Sequence, residues 1–115
     1  MESRIMKTRF YALVATLALT ISGAYADDVI VDQIDKTFVI DGTEVESLTV
    51  SAGDSVSFRN SDPFFHNIFS LSATQIFDLG SYPSGESRSV SFDKPGLVEV
   101  ECAIHPDMYM TIEVE

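Results

Sequence analysis

The sequence predicts an all-β domain, a two-sheet Greek-key β-sandwich, and three observations predict it. Short β-prone runs recur after residue 26, turn dipeptides separate many of them, and several runs alternate apolar with polar residues. No stretch sustains a helical period. In chain order the runs are Val29–Val31, Thr37–Ile40, Leu48–Val50, Ser55–Arg59, Asn67–Leu71, Ser87–Phe92, Leu97–Cys102 and Met108–Val114. Asp41-Gly42, Gly53-Asp54, Ser84-Gly85 and Pro95-Gly96 are the turn signals between them.

The alternation decides which side chains face inward. Val50 is followed beyond its turn by Val56 and Phe58, and Val90 and Phe92 alternate with serines. Val98, Val100 and Cys102 share one face, with Glu99 and Glu101 on the other. Met108, Met110, Ile112 and Val114 do the same against Tyr109, Thr111 and Glu113. Such a pattern means strands buried on one face, and antiparallel pairing is the expectation. Phe38, Phe58, Phe69 and Phe92 are assigned to the core. Ser72–Leu79 leaves open a loop, one helical turn or an irregular strand. No repeat, low-complexity tract or linker divides the chain, so residues 27–115 form one domain.

The first 26 residues read differently. Arg4, Lys7 and Arg9 precede a mostly apolar run from Phe10 to Ile21, and Ala24-Tyr25-Ala26 follows a Ser22-Gly23 break. That is the layout of a secretory signal peptide cleaved after Ala26. The apolar run would span only about 18 Å as helix, against a bilayer core of about 30 Å. No other segment approaches spanning length, so no membrane span is expected after cleavage. The leader looks bacterial, and the periplasm is the expected destination.

The full chain of 115 residues carries a formal charge of −11. Losing Glu2 leaves 17 acidic residues, and losing Arg4, Lys7 and Arg9 leaves four basic ones, for a mature net charge of −13. Nucleic acid is excluded as a partner, because phosphate binding needs Lys and Arg. At 45% hydrophobic residues the chain is too apolar for a disordered acidic tail. A lone cysteine forms no intrachain disulfide. In an oxidising compartment such a thiol is expected to be buried, bonded to another chain or held by a metal.

Metal-binding side chains are concentrated. Residues 27–115 hold one Cys, two His and two Met, and four of these five fall between Cys102 and Met110. The fifth, His66, follows Asp62-Pro63-Phe64-Phe65. Thiolate, imidazole and thioether together suit copper, and two His and one Cys form a trigonal set with a weak axial Met. Cys102 ends one strand, the next begins at Met108, and the loop between them is short enough to fold His105 back towards the sulfur. His66, at a remote strand end, closes the third position. Met110 shares strand parity with Met108, so parity does not choose the axial group; strand-end alignment favours Met108 and assigns Met110 to the core. An enzymatic Cys–His reading is weaker. No orienting group accompanies Cys102 and His105, and a filled four-ligand site has no open position for substrate.

His66-Asn67 after Pro63, Pro95-Gly96 before the Cys strand, and Cys102-x-x-His105-x-x-Met108 resemble the cupredoxins, the blue copper family that includes plastocyanin, pseudoazurin and amicyanin. The short Cys-to-Met loop with His105-Pro106 is most similar to amicyanin. The resemblance implies one type 1 copper ion held by His66, Cys102, His105 and the weak axial Met108. It implies that Asn67 ties the two ligand loops together. It also implies that His105 is the electron-exchange edge near solvent, framed by Phe64 and Pro106. The expected function is a monomeric carrier of single electrons, not an enzyme. Its partner would be a redox protein, such as a c-type cytochrome or oxidoreductase, with a basic docking surface. The alternative is a periplasmic copper-handling protein that delivers or sequesters the metal. Two departures from relatives stand out. The interval from His66 to Cys102 is compact, consistent with a trimmed strand or loop, and Asp107 puts a carboxylate beside His105, where it would favour the oxidised metal.

Overall fold

The computed structural model describes residues 25–115. The expected signal peptide, residues 1–26, therefore lies outside the described residues apart from Tyr25 and Ala26. Ten strands follow in order: β1 (Asp28–Ile34), β2 (Thr37–Ile40), β3 (Thr43–Glu44), β4 (Ser47–Val50), β5 (Asp54–Asn60), β6 (His66–Ser70), β7 (Phe77–Tyr82), β8 (Ser87–Phe92), β9 (Gly96–Glu101) and β10 (Tyr109–Val114). They form two five-stranded sheets, in the orders β3-β2-β1-β5-β8 and β4-β10-β9-β6-β7. Among the described residues no helix is long and apolar enough to cross a membrane.

The inner faces interdigitate as the alternation predicts. Phe58 and Val56 on β5, Val98 and Val100 on β9, and Met110, Ile112 and Val114 on β10 are buried together with Phe38, Ile68, Tyr82 and Phe92. Phe69 is a correction: it is only half-buried. On β6 the inward positions are His66, Ile68 and Ser70, so Phe69 falls on the other face.

Pairing direction is a second correction. β1 runs parallel to β5, and β4 parallel to β10, while the other pairs are antiparallel. Alternation reports which face a residue occupies; it does not report the direction of the neighbouring strand. Each parallel pair joins strands distant in sequence, as happens where the chain repeatedly switches sheets.

Two strands have no counterpart in the sequence reading. β3 is a two-residue edge strand closing a hairpin over Asp41-Gly42, whose φ values of 49° and 81° make the left-handed turn that an Asp-Gly pair favours. β7 lies in the stretch read as ambiguous, and with β8 it occupies the interval between His66 and Cys102. Gly80, at φ 74°, interrupts its pattern, and a register shift between Asn67 and Phe69 offsets it against β6. The segment before it is a loop clasped to its neighbours: Ser72 Oγ accepts from the Glu99 N–H, and Gln75 Nε2 donates to the Ser91 carbonyl. Gly96 is required where this loop crosses β9, since a Cβ there would lie 2.9 Å from Thr74.

The β4–β5 turn is held by a side chain. Asp54 accepts from the Asp27 and Ser51 N–H groups, each at 2.9 Å. These two backbone bonds hold its carboxyl below the ordinary value of 3.8, against a smaller opposing effect of burial. A depressed carboxyl contributes stability that is full above its unfolded value and is lost as pH falls through its folded one. Asp54→Asn is accordingly expected to be less stable than wild type at neutral pH, with the difference closing below pH 3.8. Urea unfolding of both proteins at neutral and acid pH measures this; a pH-independent gap would show that charge is not involved.

Candidate metal centre

The site sits at one end of the sandwich, and its residues belong to the second sheet. His66 is the first residue of β6, Cys102 follows β9, and Met108 immediately precedes β10. Strand parity turns Cys102 and His66 into the interior, where both are almost fully buried, while His105 is only half-buried on the connecting loop. His66 Nδ1 lies 3.7 Å from Cys102 Sγ, His105 Nδ1 lies 3.7 Å from the same sulfur, and the two Nδ1 atoms are 3.1 Å apart. The donor atoms of all three residues fall within 4.8 Å of one another.

The loop closes by backbone bonds. Met108 N–H donates to the His105 carbonyl at 2.9 Å, making the tight turn that brings the imidazole back. Cys102 N–H donates to the Met108 carbonyl at 3.3 Å, so Met108 stands across from Cys102. Met110 pairs instead with Val100, two residues further into the sandwich. At about 3.3 Å per residue that is roughly 7 Å from the Cys end. The register thus separates two methionines that parity leaves equivalent.

Asn67 Oδ1 accepts from the Ala103 N–H at 2.7 Å, linking the His66 strand to the Cys loop. Phe64 is wedged against both imidazoles, its ring centroid 5.3 Å from that of His66 and 5.1 Å from that of His105. Lys36 Nζ sits 5.5 Å over the same ring. Asp35, Lys36, Ile104, His105, Pro106 and Asp107 line an open groove, so the His105 edge faces solvent between apolar and charged neighbours. Burial lowers the His105 pKa from its ordinary value of 6.5, the neighbouring His66 and Lys36 lower it further, and Asp62 opposes them. A neutral imidazole with a free lone pair is what a metal needs at neutral pH.

Two residues near the site went unread in the sequence. Asn60 is fully buried and staples the loop before His66: its Nδ2 donates to the Phe64 and Tyr82 carbonyls, and its Oδ1 accepts from the Asp62 N–H. Asp62 is also buried, and its Oδ2 lies 2.7 Å from His66 Nε2. Burial pushes this carboxyl up, but bonds from His66, Lys36 and Asp35 outweigh it and hold the group below its usual range. Asp107 is exposed on the groove, so the carboxylate that reaches a histidine is Asp62. No spacing rule signals it, because two of its three partners come from a distant turn.

One thiolate, two imidazoles and a thioether held across from the sulfur fit a type 1 copper site: the soft sulfur and borderline nitrogens suit both oxidation states, and a weak axial group completes a trigonal set.

No protein-family model matches the chain. It is 26% identical over 111 residues to methylamine utilization protein MauL of Methylorubrum extorquens, covering 96% of each chain. Among solved structures, a reduced single-substitution variant of amicyanin superposes with a TM-score of 0.67 at 22% identity, covering 82% of this chain and 87% of that one. A copper-containing nitrite reductase from Thermus scotoductus gives a TM-score of 0.67 at 25% identity, over 76% of this chain. The chain spans only 22% of that reductase's length, so the similarity is to a part of it. With its two five-stranded sheets and its converging His, Cys and His donors, the chain has a cupredoxin-like β-sandwich fold, similar to that of amicyanin.

Proposed function

We propose that the chain is a small exported blue copper protein that carries single electrons between redox partners, with His66, Cys102, His105 and Met108 as the metal ligands. The observation that carries this reading is the convergence of His66 Nδ1, Cys102 Sγ and His105 Nδ1 at mutual distances of 3.1–3.7 Å. Bound copper would supply the Cu(I)/Cu(II) couple. The chain's own contribution is rigidity. Asn67 ties the two ligand loops together, Phe64 fills the space between the histidines, and buried strands hold His66 and Cys102. A site that moves little between oxidation states has a small reorganisation cost.

His105 is the exchange edge, framed by Phe64 and Pro106, and the acidic surface steers a partner with a basic docking face, such as a c-type cytochrome or oxidoreductase. The protein acts in the periplasm as a monomer after removal of residues 1–26, and it is not an enzyme. Relatives named for copper or for methylamine utilization support redox work in general terms and leave the partner open.

Titrating the purified mature protein with Cu(II), then ascorbate, tests the proposal. An intense thiolate-to-copper band that bleaches on reduction and returns on oxidation is the expected result. Binding without that band, together with fast metal exchange to a chelator, would transfer the assignment to copper delivery or sequestration. Met108→Leu is expected to retain copper and shift the reduction potential, while Met110→Leu leaves it almost unchanged. The reverse outcome, by protein-film voltammetry, would make Met110 the axial group.

A further inference from the structure

We propose that Asp62 is a positioning residue for the metal centre: its buried carboxylate dictates which nitrogen of His66 is offered to the metal and biases the site towards its oxidised state. The inference rests on the copper reading above and adds to it a residue outside the ligand set.

Three donors converge on this one carboxylate. The Asp35 N–H donates to Oδ1 at 2.6 Å, the Lys36 N–H donates to Oδ2 at 3.1 Å, and His66 Nε2 lies 2.7 Å from Oδ2. Both oxygens are thus used as acceptors, which an ionised carboxylate alone among side chains of this size provides. With an acceptor facing it, His66 Nε2 must carry the proton, and Nδ1 is left with its lone pair towards Cys102 and His105. A charged acceptor makes the imidazole more electron-rich and better able to stabilise the more positive metal.

The same carboxylate holds a strained turn. Asp35 and Lys36 join β1 to β2 at φ values of 53° and 61°, in the left-handed region, and neither is glycine. Asp62 binds both of their N–H groups, so it fastens the β1–β2 turn of one sheet to a ligand of the other. A purely structural role would therefore consist of securing this turn, and the test must separate the two.

Asp62→Asn keeps the shape but turns a donor towards one of the three N–H groups. In the copper-free protein, nitrogen-15 NMR of the histidines should show wild-type His66 as the Nε2–H tautomer and the variant as a mixture. In the copper-loaded protein, Cu(II) affinity should fall about 10–100-fold, as for other partners of ligating histidines. Cu(I) affinity should fall less, so the midpoint potential rises, by about 59 mV for each tenfold difference. Lys36→Gly, which accepts the left-handed turn without strain, supplies the background. Combined with Asp62→Asn it should restore thermal stability but neither the tautomer nor the potential, measured relative to Lys36→Gly alone. An unchanged tautomer and potential with only a lowered Tm would reduce Asp62 to a turn anchor and overturn the proposal. If wild type binds copper without a thiolate band, the carrier reading fails, and the copper-free NMR still decides the role of Asp62.

Discussion

Cys102→Ser is expected to abolish the intense visible absorption of the copper-loaded protein and to lower its copper affinity by orders of magnitude, while the copper-free domain stays folded. The sulfur is the only thiolate the chain offers, and the strong band requires charge transfer from it. A serine oxygen is harder, much less acidic and a poor match for Cu(I). The fold should tolerate the change because Ser is nearly isosteric with Cys. The cost is that of burying one hydroxyl at a position 1% exposed, about 1–3 kcal/mol if it finds no partner. Absorption spectroscopy and thermal denaturation by circular dichroism on the same samples separate the two effects. A variant that kept its colour would remove Cys102 from the ligand set. A metal-free adhesion-like sandwich would show no binding difference at all.

Phe58→Ala is expected to give the largest loss of stability, roughly 3–5 kcal/mol, from a domain whose total lies at about 5–15 kcal/mol. Phe58 is fully buried in β5, and its ring meets that of Phe38 edge-on at 6.2 Å between centroids. For a domain of this size the Tm should fall by roughly 12–40 °C. Copper should recover part of it by mass action, about 2.7 kcal/mol at a hundredfold excess over Kd. Thermal scans with and without metal check both numbers. A small loss in the copper-free protein would mean that the core closes over the space the Phe58 ring leaves.

The convergence of His66, Cys102 and His105 was legible because chemistry and chain proximity coincide. Cys102, His105 and the proposed axial Met108 lie in one short stretch, and period-two alternation already turned Cys102 inward. The sandwich was legible for the same reason, since Val98, Val100 and Cys102 are all buried as their spacing demands. Asp62 and Asn60 were not legible, because their roles depend on a carbonyl of β7 and on N–H groups of the β1–β2 turn. Only the folded chain brings these together. β7 was obscured by Gly80 and Asp78, whose side chain accepts from the Gly80 N–H and so makes a turn-like feature inside a strand. Phe69 was misassigned to the core because a large apolar residue next to Ile68 on a strand cannot share its face.

The position of β10 governs the order in which the molecule can be assembled. It is the last of the described strands, yet it lies inside its sheet, parallel to β4 on one side and antiparallel to β9 on the other. Thr111 meets Ser47, so this pairing closes a very long loop, which slows folding. Until residues 109–114 are available, β4 and β9 each present an unpaired edge, a surface on which strands of other chains can add. A nascent or truncated chain therefore carries the hazard of aggregation without a finished Cys-to-Met loop. Once residues 109–114 dock, one strand closes both the sheet and the Cys-to-Met loop.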